Sequence, residues 1–267
     1  MKTIFIFLFF TINILIAQIN SFDEKAFFTE MKNSYYTLNS TGLHNFSALV
    51  TSLKMQKFAK EQWDNEEIFP LQLIWFKPDK IYLSQQGIPT IKEGKYKEYQ
   101  DLISGIKLQI RGILENLQRF YFTGIFESIP NDYSLNLKDN FVLITAEADT
   151  QQSNVKTVYT MGRNGLCLKI EIDYPADNQK IIITPSFKIN KTKWLCNGWT
   201  VQTLINEEIT NGYVLQIKYG EYQSIWLPTE IIISVQKADE PGNTFYDMII
   251  FRNYLFNQNI KLQEGGN

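Results

Sequence analysis

Histidine is almost missing from this sequence: His44 is the only one in 267 residues. A histidine-dependent triad or acid–base pair therefore has one candidate, and no nucleophile motif accompanies it. The chain also lacks G-x-S-x-G, H-E-x-x-H, a Walker loop and G-x-G-x-x-G, so the usual sequence grounds for a hydrolase, a zinc protease or a nucleotide enzyme are gone. The paired carboxylates Glu66–Glu67, Glu207–Glu208 and Asp239–Glu240 fall in polar connections, where solvated charge is the ordinary state. These residues point to no enzyme, no metal site and no cofactor. Basic excess is lacking too, with 26 Lys and Arg against 28 Asp and Glu and a net charge of −2, so nucleic acid is not an expected partner. Cysteine is scarce, with only Cys167 and Cys196. In an oxidising compartment the two could form a disulfide; otherwise they are separate thiols on strands, and one pair offers no connectivity pattern to decide.

Long apolar runs are lacking as well, except at the start. MKTIFIFLFFTINILIAQ has a basic residue at Lys2, an apolar run from Ile4 to Ile16, and Leu15 and Ala17 at the −3 and −1 positions of a cleavage site. The run is shorter than the roughly 18 apolar residues of a spanning helix. Residues 1–17 read as a signal peptide, and 18–267 as one exported, soluble domain.

Two amphipathic helices are expected. Ser21 and Glu24 have capping-box spacing, and Phe27, Met31, Tyr35 and Leu38 form an apolar face, giving a helix over about 22–39 before Gly42. The stronger signal is Tyr99–Tyr121, where Leu102, Ile103, Ile106, Ile110, Ile113, Leu114, Leu117 and Tyr121 recur at three- and four-residue steps. Gly105 and Gly112 interrupt it, each at a cost of about 1 kcal/mol against alanine. Close packing against a strand is the expected reason for them, and a helix built to shift is the alternative.

Most of the remainder has a period of two. Residues 45–58 read as a strand. Residues 71–86 read as another, with Pro78 forcing an edge, a bulge or a break. From Tyr133 onward strands follow one another, joined by short turns such as Asn164-Gly165. Leu166, Leu168, Ile170 and Ile172 alternate with polar residues, which gives one buried face and one wet face. About nine to eleven strands in an antiparallel meander make the expected fold α+β.

Some stretches also resemble a known family. They are Gly42-Leu-His-Asn-Phe-Ser-Ala48, Phe76-Lys-Pro-Asp-Lys80, Trp226-Leu-Pro-Thr-Glu230 and Phe251-Arg-Asn-Tyr-Leu-Phe-Asn257. In that order, after an export signal and a helix, they resemble the LolA-like superfamily of periplasmic lipoprotein carriers and related mycobacterial lipid carriers. Residues 87–129 depart from that pattern, with one long helix where short strands and lid helices would alternate. The resemblance implies an incomplete antiparallel β-barrel with amphipathic helices over its concave face, in the bacterial periplasm. It implies a carrier of a lipid or lipoprotein acyl chain without bond chemistry; the expected state is a monomer. The candidate cavity liners are Leu73, Trp75, Ile81 and Leu83 from the early strand, Ile106, Ile110, Leu114 and Leu117 from the helix, and Ile231 and Ile233 from a late strand. For each, ordinary core packing is the competing role. The competing function is a non-catalytic exported β-domain that binds an envelope protein through an open sheet edge or an exposed aromatic patch.

Overall fold

The computed structural model describes residues 22–63, 69–149, 154–237 and 240–259, with the side chains at 149, 236, 237 and 240–245 outside that description. The signal-peptide stretch and Ser21 therefore lie outside the described residues.

The first helix, α1, is Glu24–Ser34, capped by Asp23, whose carboxylate accepts the Ala26 N–H at 2.9 Å. It stops well before Gly42. Tyr35 forms a bridge with Trp194, and the Tyr36 N–H donates to the Trp194 carbonyl at 2.9 Å, so the backbone is pulled extended there. Strand β1 is Asn45–Ser52, shorter than the sequence suggested, because α2 (Leu53–Gln62) begins at once. The Ser52 hydroxyl accepts the Met55 N–H at 3.0 Å as the helix cap. Met55, Phe58 and Ala59 then bury one helical face.

Pro78 breaks the next segment into the hairpin β2 (Leu71–Phe76) and β3 (Lys80–Gln85), with a cis Lys77–Pro78 bond in the turn. The long helix α3, Tyr96–Leu117, follows and runs into a π-helical turn, Gln118–Phe122. The wider turn lets Phe120, Tyr121 and Phe122 all be buried in succession, which a regular helix face would not allow. A short 3₁₀ turn, Ile125–Ser128, leads to the meander. Its strands are β4 (Ser134–Lys138), β5 (Phe141–Asp149), β6 (Asn154–Gly162), β7 (Cys167–Tyr174), β8 (Gln179–Asn190), β9 (Lys193–Ile205), β10 (Glu208–Tyr222), β11 (Ile225–Lys237) and β12 (Glu240–Phe256).

All the strands join one twelve-stranded sheet in the order β3-β2-β1-β12-β11-β10-β9-β8-β7-β6-β5-β4. Every neighbouring pair is antiparallel, with registers such as Phe46↔Trp75, Val50↔Phe251 and Ile217↔Ile231. The fold is α+β, with one open, curled sheet. The count exceeds the expected nine to eleven because Pro78 divides one strand into two. The two edges, β3 and β4, are the strands that α3 connects in sequence. The helix must therefore pass from one edge of the sheet to the other. It does so with Ile103, Ile106, Ile110, Ile113, Leu114 and Leu117 buried in the same core as Trp75, Trp199, Leu215, Ile231 and Ile249. At the β3 edge the Lys107 ammonium donates to the Gln85 side chain at 2.9 Å, and that amide donates to the Tyr99 hydroxyl at 3.0 Å.

Cys167 and Cys196 are free and buried, so the disulfide alternative is not realised. β8 runs between their strands, which separates them by two strand spacings, about 9.6 Å. That exceeds the roughly 7 Å Cα limit of a disulfide. Burial pushes both thiols up to about 12. The Tyr35 ring wedges in beside them: its hydroxyl accepts the Cys167 N–H at 2.7 Å and donates to the Gly165 carbonyl at 2.9 Å.

Among the described residues, no helix is long and apolar enough to cross a membrane.

Candidate functional site: a groove beside the long helix

The two glycines of α3 stand seven residues apart, nearly on one helical face. Close packing is not their role: a Cβ built on Gly105 or Gly112 meets no atom within 4 Å. The space their missing side chains leave is part of a groove of about 590 Å³. One wall is α3, with Gly105, Leu108, Gln109, Gly112 and Ile113. The other is the inner face of the sheet, with Asn211, Tyr213 and Leu215 of β10, Ile233 and Val235 of β11, and Tyr246 of β12. Leu108 is 73 % exposed, so the groove opens to solvent beside an unburied leucine.

The sheet wall follows from strand alternation. Tyr213, Leu215 and Ile217 on β10 pair with Val235, Ile233 and Ile231 on β11, so one face of the sheet carries the apolar set. Tyr246 joins that wall at a register irregularity, where Ile233 pairs with Asp247 and Ser234 with Phe245. A residue left over at such a bulge can be re-aimed. The side chains lining it are apolar except for Asn211, Gln109 and the hydroxyls of Tyr213 and Tyr246. The Gln109 amide nitrogen is buried and has no hydrogen-bond partner. An unpaired donor in an apolar groove is a feature that a carbonyl or carboxylate of a ligand would satisfy.

The liners expected from the sequence divide unevenly. Leu73, Trp75, Ile106, Ile110, Leu114, Leu117 and Ile231 are buried in the continuous core. Ile81 and Leu83 are partly buried and pack against that core. Ile233 is buried and also faces the groove. The remaining wall residues escaped the sequence pattern. The signal that could have found them was the glycine pair, together with Leu108, a large apolar residue off the helix stripe.

The opposite end of the sheet is closed by tyrosines. Tyr121 donates to the Trp226 carbonyl, Tyr219 to the Cys196 carbonyl at 2.6 Å, and Tyr254 to the Pro228 carbonyl at 2.5 Å. Tyr36 accepts the Trp226 N–H at 2.9 Å. Burial raises all four phenols, which keeps them neutral hydrogen-bonding groups. Tyr121 thereby pins the π-helical turn to β11, and Tyr36 and Tyr219 pack their rings against its ring.

One buried carboxylate stands near the groove end. Asp247 is fully buried on β12, accepting the Met248 N–H at 2.8 Å and the Lys54 N–H of α2 at 3.5 Å, while its second oxygen has no partner. Burial raises its pKa, and the Met248 and Lys54 amides, the Lys54 charge and the Ser52 hydroxyl offset part of that rise. Asp247 thus secures the first turn of α2 to β12. Its folded pKa lies above that of the unfolded chain, so between the two values the native state holds the extra proton. Stability then falls as pH rises through that window and levels off above it. Asp247→Asn should remove this component. Melting temperatures of the two proteins across the acid range should diverge within the window and run parallel above it.

His44 is exposed, and its backbone N–H donates to the Asn257 side chain at 2.8 Å, tying β1 to the end of β12. Among the described residues, no three His, Cys, Asp or Glu side chains gather in a metal-binding group.

No protein-family model matches the chain, and no curated protein or solved structure matches it.

Proposed function

We propose that this protein is an exported carrier that holds a lipid or lipoprotein acyl chain in the groove between α3 and β10–β12, without bond chemistry. The observation that carries the reading is the groove itself. It is a largely apolar space of about 590 Å³, kept open by two glycines on the one helix that spans the sheet. Its volume is within the roughly 300–1,000 Å³ typical of small-molecule sites. Each methylene buried there contributes about 0.8 kcal/mol. The Gln109 amide would donate to the ligand's carboxylate or ester carbonyl. The resemblance to the LolA-like superfamily, with its incomplete barrel and periplasmic setting, supports the same reading.

Titration with a fluorescent fatty acid tests it. Saturable binding displaced by unlabelled fatty acid is the expected result. A protein that neither takes up the probe nor releases lipid on extraction from its own host would remove the proposal.

A second reading, an envelope-protein binder, is favoured by the unpaired sheet edges. Tyr82 on β3 and Leu137 on β4 are both exposed there. Recovery of one recurring protein cross-linked to these edges, with no lipid, would favour it.

A further inference from the structure

We propose that the basic face of α2, together with Arg252, seats this protein on an anionic lipid bilayer at the mouth of the groove. Lys54, Lys57 and Lys60 recur at three-residue steps along α2 and are exposed. Arg252 is exposed on the neighbouring β12. Among the described residues, none of these cations has a carboxylate within 4.0 Å. A cleft of about 780 Å³ lies between Leu53, Lys57 and Lys60 of α2 on one side and Phe69 and Arg252 on the other.

Apolar surface accompanies the charge. Leu53 is exposed beside the lysines, and the Arg252 guanidinium lies 5.8 Å from the Phe69 ring centre. Cations set among apolar side chains suit a lipid interface, where headgroup phosphates meet acyl chains. A soluble anion would use the charges and leave the apolar groups idle.

The position connects this face to the groove. Ser52, the last residue of β1, pairs with Ile249, and α2 starts at that end of the sheet. The β9–β10 and β11–β12 connections leave the sheet at the same end, by the registers Glu208↔Ile205 and Lys237↔Glu240. The Lys54 ammonium sits 3.5 Å from the ring centre of Tyr246, a groove-wall residue. A bilayer held by α2 would therefore face the opening from which an acyl chain enters.

The inference extends the carrier reading, but the two fail separately. Co-sedimentation with vesicles of phosphatidylcholine alone, and of phosphatidylcholine mixed with phosphatidylglycerol, reads the docking. Fluorescent fatty-acid uptake without vesicles reads the groove. The protein should pellet with the mixed vesicles, release in high salt, and stay in solution with phosphatidylcholine. The triple variant Lys57→Gln, Lys60→Gln, Arg252→Gln should weaken vesicle binding roughly a hundredfold, at about fivefold per cation. Its fatty-acid uptake and circular dichroism should be unchanged. Equal binding to both vesicle types, undiminished binding by the triple variant, or binding to neither vesicle would overturn the docking. Release by inorganic phosphate, but not by chloride at equal ionic strength, would assign the cleft to a soluble phosphate and overturn it too.

Discussion

Ile110→Asp should abolish the cooperative thermal transition. Ile110 is 1 % exposed, in the middle of α3, inside the core shared with Trp75, Leu215 and Ile231. Removing the isoleucine forfeits about 1.5–3 kcal/mol of burial. The aspartate does more damage than that loss, because its carboxylate would have apolar neighbours and no partner, and a buried unpaired charge is among the most destabilising changes known. Together these effects would take most or all of the roughly 5–15 kcal/mol that holds a domain folded. The contrast is Leu108→Asp on the same helix. Leu108 is 73 % exposed, so that change should alter stability by no more than about 0.5 kcal/mol. Circular dichroism melts of the two variants decide the point. If Ile110→Asp kept a normal transition and lost only lipid uptake, α3 would be a lid that lifts, and its buried stripe would not be the centre of the core.

The sequence announced the sheet more clearly than the groove, for physical reasons that can be named. Period-two alternation from Leu166 to Ile172 was enough to mark β7 as a strand, but not which of its residues face the core: a register shift between Thr160 and Met161 turns Cys167 inward with Ile170 and leaves Leu166, Leu168 and Ile172 half-buried. Pro78 was legible as a break because it lacks a ladder donor wherever it stands. The start of α2 was hidden because Phe58 continues the apolar spacing of β1; only the cap at Ser52 and the Met55, Phe58, Ala59 spacing reveal the change of period. Turn-type residues are an uneven guide in this chain. Asn197-Gly198 is a common turn pair, yet β9 runs through it with a register shift. Gly198 has φ 155°, and a Cβ there would stand 2.1 Å from the Leu215 carbonyl oxygen, so glycine serves a close strand approach. Conversely, Asn206-Glu207 and Gln223-Ser224 turn with positive φ and carry no glycine to betray them.

The groove depends on a finer fact than periodicity. The stripe of α3 gives the direction in which the helix faces its core, and the stripe residues fill that direction. The open space lies on the helix's flank, where Gly105 and Gly112 leave the sheet's inner face uncovered. Which flank meets Tyr213 and Val235 is set by how the helix is rotated as it crosses from β3 to β4. That rotation follows from anchors along it: Gln85, which holds Tyr99 in the first turn and Lys107 at mid-helix, and the tyrosine cluster around Tyr121 just past its C-terminal end. Each anchor joins residues far apart in sequence, so no local pattern encodes it.

Gly112→Leu should separate the groove from the fold. The position is helical, and a Cβ there meets no atom within 4 Å, so an added side chain starts into open groove space. Leucine is a better helix former than glycine by nearly 1 kcal/mol, so the variant should melt at the same temperature as the parent or about 2–4 °C higher. Its isobutyl group would occupy groove volume that an acyl chain otherwise fills. Displacing a few methylenes of ligand at about 0.8 kcal/mol each lowers affinity by at least tenfold. Gly112→Ala adds a single methyl and should show the same gain in stability with most of the uptake retained. Few binding-site variants are expected to rise in stability as they lose ligand, which makes the pair of measurements hard to reproduce by general damage. Unchanged fatty-acid affinity in Gly112→Leu would remove the ligand from this groove, whatever the melting temperature does.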